Sequence, residues 1–141
     1  MRRSRERGVS PRRQEGKAMP KILIVDDDPD FLFLCRRILE AEGYQVMEAR
    51  SGSQALEMMR KTPPDLVLLD VMMSTTLEGV DVSKMLKADP ALRHIPLIMI
   101  SSITTSEYAS EYPEERVPID AWISKPIQPE FLLKTVRRFL K

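Results

Sequence analysis

Short apolar runs alternate along this chain with longer stretches in which apolar residues recur at helical spacing. Most of the runs have strand length and are rich in branched aliphatic residues, which favours β-strands. The predicted strands are Lys21–Val25, Gln45–Ala49, Asp65–Asp70, Pro96–Ile100 and Ile119–Ile123. The third has four consecutive apolar residues between two acids, a pattern typical of a strand buried on both faces.

Each predicted strand is followed by a stretch that favours a helix. Pro29 stands where the first helix begins, with Asp28 as its N-cap, and Gly43 ends it. In this helix, the apolar residues predicted to face the protein core are Phe31, Leu34, Cys35, Ile38 and Leu39. In the later helices they are Ala55, Leu56 and Met59, then Val82, Met85 and Leu86, and finally Leu132, Leu133, Val136, Phe139 and Leu140.

Residues 104–118 are the least regular part of the pattern. A fourth helix there is expected to be short or irregular, because Pro113 and Pro118 limit it to about Ser106–Glu111. Strand and helix otherwise alternate five times, which predicts an α/β fold. We expect a three-layer, doubly wound arrangement, with a five-stranded parallel sheet between helices on both faces.

The 141 residues suit a single domain, but their charge is unevenly distributed. Residues 1–18 hold seven basic and two acidic side chains and show no apolar periodicity. We interpret them as a disordered basic arm before a domain at residues 19–141. The simplest hypothesis is that this arm is a solvated tail. A second hypothesis is that it contacts nucleic acid or a membrane surface, and a third is that translation starts at Met19, so that the arm is not made.

Cysteine content and hydropathy bear on the cellular compartment. The single cysteine, Cys35, has no partner for an internal disulfide, which favours a reducing cytoplasm. No apolar run approaches the roughly 18 residues that would indicate a membrane span. We therefore predict a cytoplasmic location and no membrane contact by the folded domain.

Polar side chains occur where most of the predicted strands end. Asp26 and Asp27 follow the first strand, Asp70 ends the third, Ser101 follows the fourth, and Lys125 comes soon after the fifth. Parallel strands place these residues at one edge of the sheet. Crowded carboxylates repel one another, and Mg²⁺ would relieve this while leaving room for a phosphate oxygen. With an ammonium and a hydroxyl nearby, the set suits phosphoryl transfer, in which a carboxylate can be the nucleophile.

Four segments carry a resemblance to a known family. They resemble the motifs of the receiver domain of bacterial response regulators, the CheY-like superfamily. The segments are Ile24–Asp28, Asp65–Asp70, Ile100–Ser102 and Ser124–Pro126. The resemblance covers residues 21–141 and has the four segments in the family's order. It implies a flavodoxin-like sheet with strand order 2-1-3-4-5 and a single receiver domain.

The resemblance also implies a metal and an acceptor. Asp70 would accept the phosphoryl group. Mg²⁺ would be held by Asp27 directly, by Asp26 often through water, by Asp70, and by the backbone carbonyl of Met72.

Other implied roles concern the phosphoryl group and the conformational switch. Ser101 would donate a hydrogen bond to the phosphoryl group, and Lys125 would form an ion pair with it. A cis peptide bond is implied between Lys125 and Pro126. Ser101 and Trp122 would move together as the switch, and the alternative for Trp122 is an ordinary large side chain on a half-exposed strand.

The sequence departs from the family pattern outside the acceptor residues. Ser74 stands where the family usually has proline, and the loop from Asp70 to Gly79 is one residue longer than usual. Pro118–Asp120 replaces the usual Gly-Ala pair before the fifth strand. These differences affect the predicted output surface rather than the chemistry of the acceptor.

The predicted function is phosphorelay signalling by a regulatory phosphoacceptor, not an enzyme. The implied partners are a sensor histidine kinase or phosphotransfer protein, and a downstream protein that binds the face of the fourth helix, fifth strand and fifth helix. We expect no nucleic acid at the folded domain, and either a monomer or a phosphorylation-dependent dimer. Two alternatives stay open: a small phosphatase with Asp26 or Asp28 as nucleophile, and a receiver-like binding module that is not phosphorylated.

Overall fold

The structure, a computed structural model, describes residues 19–70, 78–101 and 120–140. Its strands are β1 (Lys21–Val25), β2 (Gln45–Ala49), β3 (Leu66–Asp70), β4 (Leu97–Ser101) and β5 (Ala121–Ser124). Its helices are α1 (Pro29–Glu40), α2 (Gly52–Lys61), α3 (Glu78–Ala88) and a C-terminal helix (Pro129–Phe139). The basic arm, Met72, Ser74 and the predicted fourth helix lie outside the described residues.

The five strands form one parallel sheet in the order β2-β1-β3-β4-β5, which confirms the expected fold. Every residue of β3 and β4 is buried. Central parallel strands are covered on both faces, so their sequences are nearly continuous apolar runs. β4 and β5 begin slightly later than predicted, because Pro96 and Asp120 lie just outside the ladder.

Two apolar clusters fill the layers on either side of the sheet. Successive side chains of a strand point to opposite faces, so Val67 and Leu69 join the cluster beneath α2 and α3. Leu66 and Leu68 join the cluster beneath α1 and the C-terminal helix. The described helices include none long and apolar enough to cross a bilayer.

The helix faces were predicted with two errors. Leu34 is 45% exposed and Met85 is 50% exposed, although both were expected to face the core. Leu32 is buried in place of Leu34. At about 3.6 residues per turn, Leu34 lies well to one side of the stripe formed by Leu32, Cys35 and Leu39. Leu34 was at the border of the predicted apolar face, and it lies outside the face that is buried.

The thiol of Cys35 gives a test of this packing. Cys35 is fully buried on α1, and burial, with the charge of Asp26 as a smaller cause, raises its pKa to about 12. Since the thiolate is the reactive form, we expect no alkylation of the folded protein at pH 8 and complete alkylation in denaturant. Mass spectrometry would measure both, and rapid labelling of the folded protein would contradict the buried position.

Candidate functional site

The polar edge of the sheet lies where β1, β3 and β4 end side by side. Val25 pairs with Leu69 in register, so Asp26 follows one strand where Asp70 ends its neighbour. Asp70 in turn pairs with Ile100, the residue before Ser101. Asp26, Asp70 and Ser101 are all buried. The sheet register thus gathers the polar residues that the sequence placed at strand ends.

Three carboxylates meet at this edge. Oxygens of Asp26, Asp27 and Asp70 all lie within 4.8 Å of one another. Asp26 and Asp70 are buried, whereas Asp27 is exposed. Such a group fits Mg²⁺, which uses a small number of carboxylates and keeps several waters or substrate oxygens. These three residues would hold the ion, and its charge would offset their repulsion.

Lys125 supplies the positive charge of the site. Its Nζ lies 3.0 Å from Asp26 Oδ2 and 3.6 Å from Asp70 Oδ2. Burial, the largest single effect, lowers the pKa of the ammonium, but the hydrogen bonds and charges of Asp26 and Asp70 together outweigh it and raise the pKa. Lys125 is therefore a permanent cation at neutral pH.

The three acids that follow β1, Asp26 to Asp28, differ in their contacts. The backbone N–H of Asp28 donates to Asp26 Oδ1 at 2.9 Å, which fixes the buried carboxylate. The side chain of Asp28 accepts from the backbone N–H of Asp30 at 2.9 Å and caps α1. Pro29 is the first residue of the helix, where its lack of an N–H costs no hydrogen bond, because the first N–H groups of a helix have no partner within the helix. Asp27 is left to face solvent.

Backbone contacts bring Lys125 and Ser101 together. The N–H of Lys125 donates to the carbonyl of Ser101 at 2.7 Å. The peptide bond between Lys125 and Pro126 is cis, as the family resemblance implied. The last residues of β4 and the loop after β5 are therefore joined at the site.

The structure places most of the predicted site residues together. Asp26, Asp27 and Asp70 share one cluster, Lys125 lies against two of them, and Ser101 is linked to Lys125 through the backbone. The Met72 carbonyl lies outside the described residues. Trp122 is half-buried on β5 and packs on the α2–α3 side of the sheet. The roles of these residues stay predictions.

One residue at the site was missed as such. The ring of Phe31 lies 4.2 Å from Lys125 Nζ, measured to the ring centroid. The helical pattern assigned Phe31 only to packing. Its position in the first turn of α1, directly after the acidic run Asp26–Asp28, is the sequence feature that could have indicated a place near the site.

Comparison with known proteins gives a consistent result. A family model described as the response regulator receiver domain matches residues 22–137. The polar-differentiation response regulator DivK of Brucella anthropi is 36% identical over 126 residues, which are 86% of this chain and 98% of DivK. The structure of the Vibrio cholerae chemotaxis protein CheY4 superposes with a TM-score of 0.76 at 31% identity, covering 86% of this chain and 99% of CheY4.

The carboxylate cluster predicts a specific response to Mg²⁺. Millimolar Mg²⁺ should raise the melting temperature of the protein by mass action, because only the folded state assembles the cluster. Asp27→Ala should abolish most of this shift, measured by calorimetry. Asp30→Ala is the control, since it removes an exposed carboxylate three residues further along the chain, in the first turn of α1 and outside the cluster. An equal shift in Asp27→Ala and wild type would place the metal elsewhere.

Proposed function

The chain belongs to the response regulator receiver domain family, and we propose that it accepts a phosphoryl group on Asp70 in the presence of Mg²⁺. Its general role is that of a regulatory receiver in two-component signalling. The single observation that carries the proposal is the seat of Asp70, a buried carboxylate between two other carboxylates and an ammonium. Asp26 is the other buried carboxylate of this cluster, and its oxygens accept hydrogen bonds from Lys125 and from the N–H of Asp28.

The transfer step has a defined balance of bonds. An oxygen of Asp70 attacks the phosphorus of a phosphohistidine, the P–N bond breaks, and the imidazole leaves with its electron pair and takes up a proton. Asp26, Asp27 and Asp70 would hold Mg²⁺, which would neutralise charge on the carboxylates and on the phosphoryl oxygens. Lys125 is already 3.6 Å from Asp70 Oδ2, so it can pair with a phosphoryl oxygen with little movement. Ser101 supplies a hydroxyl donor at the same edge.

The rival assignment of Asp26 or Asp28 as a phosphatase nucleophile has less support. Asp26 is 1% exposed and already accepts from Lys125 and from the N–H of Asp28. Asp28 is occupied as the cap of α1. Asp70 is the remaining aspartate that combines burial with the ammonium, and the same intact set argues against a module that only binds.

A groove lies beside the edge strand β5. It has a volume of about 580 Å³, and its described lining combines apolar side chains with cationic ones of the C-terminal helix. The lining residues are Ala121, Trp122, Phe131, Lys134, Thr135, Arg137 and Arg138. We propose that a downstream protein with acidic and apolar residues binds this face when Trp122 responds to phosphorylation.

The remaining partners follow from the family. A sensor histidine kinase or phosphotransfer protein would supply the phosphoryl group, and self-catalysed transfer and slow hydrolysis would be the only chemistry of the domain. Three further expectations stay predictions. The folded domain is expected to bind neither nucleic acid nor membrane, to be a monomer or a phosphorylation-dependent dimer, and to be cytoplasmic. The buried free thiol of Cys35 supports the reducing compartment.

Replacing Asp70 tests the acceptor. Asp70→Asn keeps the shape of the side chain but removes the nucleophilic carboxylate, so uptake of labelled phosphate from a phosphorylated histidine kinase should fall to background. Asp65→Asn is the matched control at the opposite end of β3, where the new amide oxygen can still accept from the N–H of Lys21. Undiminished labelling of Asp70→Asn would overturn the assignment.

The single tryptophan allows the switch to be followed directly. With Mg²⁺ already present, a small acyl phosphate should change the fluorescence of Trp122 in the wild type, because the groove rearranges after Asp70 is phosphorylated. Asp70→Asn should show no such change. An identical change in both proteins would mean that Trp122 reports binding of the donor and not the switch.

A further inference from the structure

An aromatic ring completes the surroundings of the Lys125 ammonium. Phe31 lies in the first turn of α1, and Lys125 Nζ stands 4.2 Å from the centroid of its ring. This is a cation–π distance, because ammonium groups are attracted to aromatic faces within about 6 Å of the centroid. Asp26 and Asp70 contact the same nitrogen at 3.0 and 3.6 Å.

The three contacts differ in how they would respond to the reaction. The oxygens of Asp26 and Asp70 are also candidate metal ligands, so their hold on the ammonium depends on whether metal and phosphoryl group are present. The ring of Phe31 carries no metal-ligand atom. Its attraction for the ammonium is therefore the one contact among the three for which metal does not compete.

We propose that Phe31 is a positioning residue for phosphoryl transfer, and that its ring face holds the Lys125 ammonium beside Asp70. The proposal rests on Asp70 being the acceptor. Lysine has a flexible four-carbon stem, so a point charge at its end needs support to stay in one place. The side chain of Lys125 is 23% exposed, so its ammonium is not confined by burial alone.

Packing is the competing explanation for Phe31. The ring does pack against the apolar cluster beneath α1, and it is only half-buried. Leucine would serve such packing but offers no aromatic face, whereas tyrosine would keep the face. The pair Phe31→Leu and Phe31→Tyr therefore separates positioning from packing.

The first experiment is NMR of the full chain without metal. The ring current of Phe31 should shift the ε-methylene protons of Lys125 away from the positions of the other lysines. Phe31→Tyr should retain this shift, and Phe31→Leu should remove it. Should Phe31→Leu melt early, Phe31→Met, which is also flexible and lacks a ring, takes its place. Unchanged Lys125 signals in a folded ring-less variant would overturn the contact.

The second experiment measures the rate at which a small acyl phosphate labels Asp70 with Mg²⁺. From the usual strength of cation–π contacts, Phe31→Leu should slow labelling about threefold to tenfold, and Phe31→Tyr should stay near wild type. Phe33→Leu is the matched control, because Phe33 is 59% exposed on the same helix and its ring faces Arg37 instead. In a Lys125→Met background, Phe31→Leu should have no further effect.

The outcomes separate this inference from the proposed function. If the wild type is not labelled at Asp70, the proposed function fails, and the positioning role fails with it whatever the NMR shows. If the wild type is labelled and Phe31→Leu is as fast as Phe31→Tyr, only the role of Phe31 is overturned. A loss in Phe31→Leu that persists in the Lys125→Met background would likewise assign Phe31 to packing.

Discussion

The ion pair between Lys125 and Asp26 is the interaction on which the site depends. Asp26 is almost fully buried, and a buried carboxylate is costly unless it is paired and hydrogen-bonded. The ammonium 3.0 Å away and the N–H of Asp28 satisfy both needs. Lys125 is 99 residues from Asp26 along the chain, so this contact depends on the strand order that brings the ends of β1 and β5 to the same edge of the sheet.

The pair also brings the ammonium close to Asp70. The ammonium lies nearer to Asp26 than to Asp70, so Asp26 forms the closer of its two ion pairs. Asp27 adds an exposed oxygen ligand to the same cluster. Asp26 and Asp27 follow β1, Asp70 ends β3 and Lys125 follows β5, so the ends of three strands supply these four side chains.

Most of the fold and the main site residues could be predicted because the sheet imposes strong patterns. β3 and β4 are buried throughout, so their apolar runs are unambiguous, and parallel strands bring their ends to one edge. The helix faces were harder, since Leu34 and Met85 lie at the border of an apolar stripe where periodicity alone does not decide burial. The Phe31–Lys125 contact was missed because it depends on the path of a flexible lysine stem between distant elements.

Phosphorylation of Asp70 is tested most directly by incubating the protein with Mg²⁺ and a small acyl phosphate and reducing the product with borohydride. Peptide mapping then identifies the aspartate that has become homoserine. The site geometry predicts modification at Asp70 only, and only when Mg²⁺ is present. Modification at Asp26 or Asp28, or equal modification without Mg²⁺, would contradict it.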